Sequence, residues 1–178
     1  MPFEFAFLDW LYQFRNPVMN TISIFFDYAG AHGEIWIAFT LLLLLFRRTR
    51  KAGFAMAVAL VLYMAAGHFF LKPLFARPRP CDVNTAITIL VKRPHGHSFP
   101  SGHTASAFAA AFALWLQNRK LGVPALVLAA FIAFTRLYLY VHFPTDVLGG
   151  LVLGLALGFF ASWLVDSLAN NSKKKQIV

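Results

Sequence analysis

Residues 121–165 read LGVPALVLAAFIAFTRLYLYVHFPTDVLGGLVLGLALGFFASWLV, two apolar runs divided by a short polar segment from Thr135 to Asp146. A helix rises about 1.5 Å per residue and the hydrocarbon of a bilayer is about 30 Å thick, so ~20 apolar residues cross it. Leu121 to Tyr140 and Asp146 to Val165 both satisfy this. Backbone groups in lipid must bond within their own segment, which makes both runs helices. In the second, Gly150, Gly154 and Gly158 recur every fourth residue and predict a smooth face for close packing against another helix.

Three further stretches extend the pattern outward. Gly53 to Leu71 and Pro100 to Leu116 are strongly apolar, whereas Gly30 to Phe46 has a shorter apolar core, Ile35 to Phe46, with a polar front edge. The predicted fold class is all-α: a polytopic transmembrane helix bundle of about five spans. Pro2 to Tyr28 mixes aromatics with Glu4, Asp9, Arg15 and Asp27 and is broken at Asn16-Pro17, which predicts two short amphipathic helices lying in the membrane interface. A sixth span formed from this segment is the rival reading. The expected organisation is one integral-membrane domain over 1–178, with an interfacial segment 1–29, a helix bundle 30–168 and a basic cytoplasmic tail 169–178. The acidic start MPFEFAFLDW has no basic region or small-residue cleavage site and does not read as a secretory signal.

Composition excludes several classes of function. Hydrophobic residues make up 59% of the 178 and charged residues 13%, against a usual ~45–50% and ~25%, and mean hydropathy is +0.64. These values argue against a soluble enzyme and exclude a disordered tail and a nucleic-acid module, despite a formal net charge of +9. A single cysteine, Cys81, rules out an intrachain disulfide framework and a multi-cysteine zinc site. Arg47, Arg48, Arg50, Lys51, Arg119, Lys120 and Lys173 to Lys175 all fall on one face of five alternating spans, the cytoplasmic one by the positive-inside rule. The opposite, extracytoplasmic face carries the loop from Lys72 to Phe99 and the connection around His142. The expected location is a bacterial inner membrane.

On that outer face three polar clusters share one membrane level. Lys72 through Arg79 closes the second span, Ser98 through His103 opens the third, and Thr135 through Asp146 joins the fourth to the fifth. Arg136 is the most telling member, since a guanidinium inside an apolar run is costly to insert. Cations, two histidines, a serine at a helix start and one carboxylate suit a phosphate oxyanion. Phosphoryl transfer is promoted mainly by positioning and preorganised positive charge, which Lys72, Arg79 and Arg136 supply. Ser101 occupies the cap position of an apolar helix, so the amides of Gly102, His103 and Thr104 form an anion seat, and Gly102 has no side chain to obstruct it. His142 precedes Asp146 by four residues. The carboxylate is expected to bond one ring nitrogen and leave the other free to attack phosphorus, while His103 protonates the departing oxygen. Asp146 favours an imidazolium at His142, and the surrounding cations oppose it.

Other residues receive lesser roles. Zinc on His95, His97 and His103 is disfavoured by Lys92, Arg93 and the phosphate cluster. His68 reads as a packed or interfacial residue. Arg77, Lys92 and Arg93 are left outside the core site, facing a headgroup or anionic lipids.

Lys72, six residues, then Arg79-Pro80; Pro100-Ser101-Gly102-His103; and Thr135-Arg136, five residues, His142, three residues, Asp146 together resemble the tripartite signature of the type-2 phosphatidic acid phosphatase and vanadium haloperoxidase superfamily. Thr135 stands where that family commonly has Ser, and a hydroxyl is retained. The resemblance implies that His142 is the nucleophile, Asp146 its orienting partner and His103 the general acid. It also implies that Lys72, Arg79, Ser101, Gly102 and Arg136 bind phosphate, with no metal and no other cofactor. The five apolar spans fit the membrane branch, whose members hydrolyse lipid phosphates or diphosphates at the outer leaflet. Undecaprenyl diphosphate, phosphatidylglycerophosphate and phosphatidic acid are the candidate substrates, and the expected partners are a membrane lipid and the bilayer, with no nucleic acid. The alternative from another class is a non-catalytic transporter or flippase that uses the same cations to move an anionic lipid. Oligomeric state is left open.

Overall fold

The computed structural model describes residues 2–30 and 33–175, with side chains through residue 171. Positions 31 and 32 of the expected first span, the side chains of Lys173 to Lys175 and residues 176–178 of the expected tail therefore lie outside the described residues. Among those described the regular structure is entirely helical. In chain order the helices are α1 (Pro2–Tyr12), α2 (Pro17–Ala29), α3 (Glu34–Leu45) and α4 (Arg50–Tyr63), which runs through a π-helical segment, Met64–Leu71, into α5 (Lys72–Phe75). Then follow α6 (Pro80–Val83), α7 (Gly102–Gln117), α8 (Arg119–Tyr138) and α9 (Pro144–Lys175).

The spans are less uniform than the sequence implies. Three stretches have the length and apolarity to cross a bilayer, Arg50–Val83, Arg119–Tyr138 and Pro144–Asn171, and α2 with α3, bent by 62°, meets the same test as a pair. At 16 residues α7 is shorter than a full span. It starts only after the extended Ser101 and stops at Asn118, whose side chain accepts from the Leu121 amide and so begins α8. α9 overruns its expected end at Val165, because no Gly or Pro follows Gly158 to stop it.

α7 is the central helix, packed by α4, α8 and α9. Its alanines let neighbours approach closely: Ala105, Ala107, Ala109, Ala110, Ala111 and Ala113 have no exposed surface. The glycine stripe of α9 does what its spacing predicts. A Cβ at Gly150, Gly154 or Gly158 would lie 2.7 Å from the carbonyl oxygens of Ser101, Ala105 and Ala109 in turn, so the two backbones are in contact for two turns. A side chain at Gly150 would therefore push α9 away from the start of α7, where the polar clusters meet.

The N-terminal segment forms the two expected helices. Asn16 caps α2 by accepting from the Met19 amide at 2.9 Å, with Pro17 in the first turn, where its missing N–H costs nothing. Glu4, Asp9, Asn20 and Asp27 bond through their side chains to other parts of the protein. Glu4 is buried, and Asn20 accepts a hydrogen bond from the Tyr138 hydroxyl of α8 at 2.7 Å. The bundle has two polar ends. At one, Lys51 at the start of α4 pairs with Asp166 of α9, which also accepts from Gln117 at the end of α7. At the other, the three motif clusters meet.

Candidate active site

His142 lies in the turn between α8 and α9 and is 2% exposed. Its two ring nitrogens are held differently. Nε2 is 3.1 Å from Nη1 of Arg79. A guanidinium only donates, so Nε2 carries the lone pair and the proton sits on Nδ1. Nδ1 faces the Ser98 hydroxyl at 3.3 Å, and that hydroxyl donates to Oδ2 of Asp146 at 2.5 Å. The direct Nδ1 to Oδ2 separation is 3.6 Å, longer than a hydrogen bond. The expected histidine–aspartate contact is thus a relay, His142 to Ser98 to Asp146. Asp146 is fixed further by the Phe143 amide, which donates to Oδ2 at 2.8 Å, and by Arg77, whose Nη1 donates to Oδ1 at 2.6 Å. Of the opposing influences on His142, burial dominates. It lowers the imidazole from 6.5 to about 3, the nearby Arg79 and Lys72 act in the same direction, and Asp146 opposes them.

Lys72 and Arg79 are held by backbone carbonyls of the 95–97 loop. Arg79 is 4% exposed and donates to Gly96 and Val141 at 3.1 Å, and to His95 and His97 at 3.4 Å. Lys72, delivered at the end of the π-helical segment, donates through Nζ to the His97 carbonyl at 3.1 Å. Backbone bonds stitch the motifs together: the Ser98 amide donates to the Arg77 carbonyl at 2.8 Å and the Ser101 amide to the Asp146 carbonyl at 3.0 Å.

Ser101 occupies the cap position of α7, but its hydroxyl accepts from Thr104 Oγ1 at 3.0 Å and makes no side-chain cap. The first-turn amides of Gly102, His103 and Thr104, which have no carbonyl one turn earlier in the helix, are left to a ligand. Gly102 is required by space. A Cβ there would lie 2.6 Å from the Tyr63 hydroxyl and 3.8 Å from Lys72 Nζ, which places the ammonium beside the helix start. His103 is the next residue of α7. Its Nε2 lies 3.4 Å from the carbonyl oxygen of Asp27 in α2.

Arg136 is 1% exposed. Thr135 Oγ1 accepts from its Nε at 3.2 Å and Nη2 at 2.9 Å, so the threonine hydroxyl orients the guanidinium. Nη1 donates to Oδ1 of Asp27 at 2.5 Å. Every residue expected at the phosphate site, Lys72, Arg79, Ser101, Gly102, His103, Arg136, His142 and Asp146, is therefore gathered at this end of the bundle.

Four participants escape the sequence reading. Ser98 is quoted in a motif yet given no role. Arg77, expected at the headgroups, instead bridges Asp146 and Glu4, whose Oε2 lies 2.7 Å from Nη2. Glu4 and Asp27 belong to helices expected to lie on the membrane surface. The signal for Asp27 is a stripe of polar residues in α2, Asn16, Asn20, Ser23 and Asp27, spaced to lie on one helical face. The residues outside the core site behave otherwise. Lys92 is exposed, Arg93 pairs with Asp82 at 3.3 Å, and exposed His68 packs edge-on to Phe69. Among the described residues no three of His, Cys, Asp and Glu are grouped to hold a metal ion.

The chain is 32% identical over 157 residues to undecaprenyl-diphosphatase BcrC of Bacillus subtilis, an alignment covering 82% of this chain and 74% of the relative. It is 36% identical over 162 residues to decaprenylphosphoryl-5-phosphoribose phosphatase of Mycobacterium tuberculosis, covering 89% and 85%. The crystal structure of LpxE from Aquifex aeolicus superposes with a TM-score of 0.71 at 26% identity, covering 89% of this chain and 94% of that one. The family description "PAP2 superfamily" matches residues 48–169, from the start of α4 through most of α9, and with these relatives it establishes that the chain is a membrane enzyme of the PAP2 phosphatase superfamily.

Proposed function

We propose that the chain hydrolyses a polyprenyl phosphate or diphosphate at the extracytoplasmic face of a bacterial inner membrane, through a phosphohistidine at His142. The observation that carries this reading is the state of His142. Its Nε2 lone pair is presented to a guanidinium while Nδ1–H is backed by Ser98 and Asp146, which is how a neutral nucleophile is prepared. The substrate class is supported by relatives named for undecaprenyl diphosphate and for a decaprenylphosphoryl sugar phosphate. The outer face is supported by the basic residues at the opposite end, around Lys51.

In this mechanism the substrate phosphate binds at the start of α7, between Lys72, Arg79 and Arg136. Arg79 transfers its hydrogen bond from Nε2 to a phosphate oxygen, which frees the lone pair. Binding of the anionic phosphate protonates His103, Nε2 of His142 forms a bond to phosphorus as the bond to the leaving oxygen breaks, and the His103 imidazolium gives that oxygen a proton. The imidazole, now bonded at both nitrogens, is positively charged, and the Ser98–Asp146 relay stabilises it. Water then attacks phosphorus, His103 takes the water proton, the N–P bond returns its electrons to Nε2, and inorganic phosphate leaves.

The test is phosphate release from undecaprenyl diphosphate, phosphatidylglycerophosphate and phosphatidic acid in detergent with a chelator present. Wild-type turnover favouring the polyprenyl substrate is expected, with none from His142→Ala and slow turnover from His103→Ala. Wild-type rates in His142→Ala overturn the nucleophile assignment, and a stronger preference for the glycerolipids overturns the substrate class.

A further inference from the structure

Asp27 contacts two groups that a bound phosphate needs. Its carboxylate accepts from Arg136 Nη1 at 2.5 Å, and its main-chain carbonyl lies 3.4 Å from Nε2 of His103. α2 is anchored to deliver it. The Asn16 amide donates to the Tyr138 hydroxyl at 3.0 Å, the same hydroxyl donates to Asn20, and Phe26 packs edge-on to Phe131 with ring centroids 5.5 Å apart. Ser23, between Asn20 and Phe26, is fully buried. The polar stripe of α2 is thus clamped along α8, with its last member on Arg136. α2 lies outside the residues 48–169 that the family description matches.

We propose that Asp27 is a positioning residue that competes with phosphate for Arg136 and thereby sets how tightly the site holds an anion. The inference rests on the reading of Arg136 as a phosphate binder. A nearly buried guanidinium without a partner is costly, and the carboxylate removes that cost while the site is empty. An arriving phosphate offers the same charge-assisted bond with more oxygens, but it must displace the carboxylate or share the guanidinium with it. Binding is weakened by that competition. Departure of inorganic phosphate is eased in equal measure, because Asp27 returns as the product leaves.

The experiment measures inhibition by inorganic phosphate, and its calorimetric binding, for the full chain in detergent. In Asp27→Asn the shape is kept and the charge removed, so phosphate is expected to bind about tenfold more tightly, with KM falling in parallel. A residue that only balanced a buried charge would lower the unfolding temperature without tightening phosphate. Unchanged or weaker phosphate binding in folded Asp27→Asn therefore overturns the inference. A second measurement uses the wild-type protein: amide hydrogen exchange across residues 17–30 is expected to quicken when inorganic phosphate is added, and unchanged or slower exchange overturns the inference without any variant. Arg136→Gln separates the two layers. If it leaves phosphate affinity unaltered, the reading of Arg136 fails and takes this inference with it. If it weakens phosphate while Asp27→Asn does not tighten it, only the role of Asp27 fails.

Discussion

The two ends of this bundle use the same ingredients differently. At the basic end Lys51 pairs with Asp166 while both side chains remain about half exposed, at 54% and 44%. At the other end Arg77 meets Asp146, and Arg136 meets Asp27, with exposures of 16%, 0%, 1% and 17%. Water screens the first pair, so it contributes little beyond orientation in the membrane. The buried charges are not screened, and each needs a fixed partner or a ligand. The lesson is that burial, more than the number of charged residues, turns a polar cluster into a site able to act on an anion.

The sharpest way to break that contrast is at the proposed nucleophile, His142. His142→Gln keeps a polar side chain but has no ring nitrogen to attack, and its kcat is expected to fall by at least about 1,000-fold in a phosphate-release assay. Next comes the relay. Ser98→Ala removes the link between His142 and Asp146, and a fall of about 10- to 100-fold in kcat with little change in KM is expected. A larger drop in binding than in turnover would mean that Ser98 contacts substrate instead.

Acidity gives a third comparison. His142 stays neutral in the folded protein down to about pH 3, whereas it titrates near 6.5 once unfolded. Between those values the unfolded state holds the extra proton, so this contribution to stability is complete above about pH 6.5 and declines as pH falls toward 3. Thermal unfolding in detergent from pH 7 to pH 4 is expected to show a falling midpoint that is partly flattened in His142→Gln. The smallest effect belongs to the exposed end. Lys51→Ala is expected to change stability by less than about 1 kcal/mol and to leave kcat at the wild-type value.

Much of the architecture follows from local rules visible in the chain. The glycine repeat of α9, the break at Asn16-Pro17 and the spacing of the three clusters are short-range patterns, and each predicts a feature that the fold contains. The span count was less legible. α7 can be short because other helices surround it, and hydropathy does not distinguish a helix facing lipid from one facing alanines. Ser98 acts by lying between two residues 44 and 48 positions away, a relation that no local spacing encodes. An amphipathic helix normally turns its acids toward water, so the pattern of Pro2 to Tyr28 does not mark Glu4 and Asp27 as parts of the site. Here their partners are guanidiniums from α8 and the α5–α6 turn, and only the tertiary fold brings them together.

The most direct test of the central claim is to mix the enzyme with a lipid substrate labelled in the transferred phosphate, quench within one turnover and locate the label by mass spectrometry. The expected result is label on a ring nitrogen of His142, accumulating further in His103→Ala because hydrolysis of the intermediate is slowed. Label on another residue, or full turnover with no labelled protein at any time point, would contradict it.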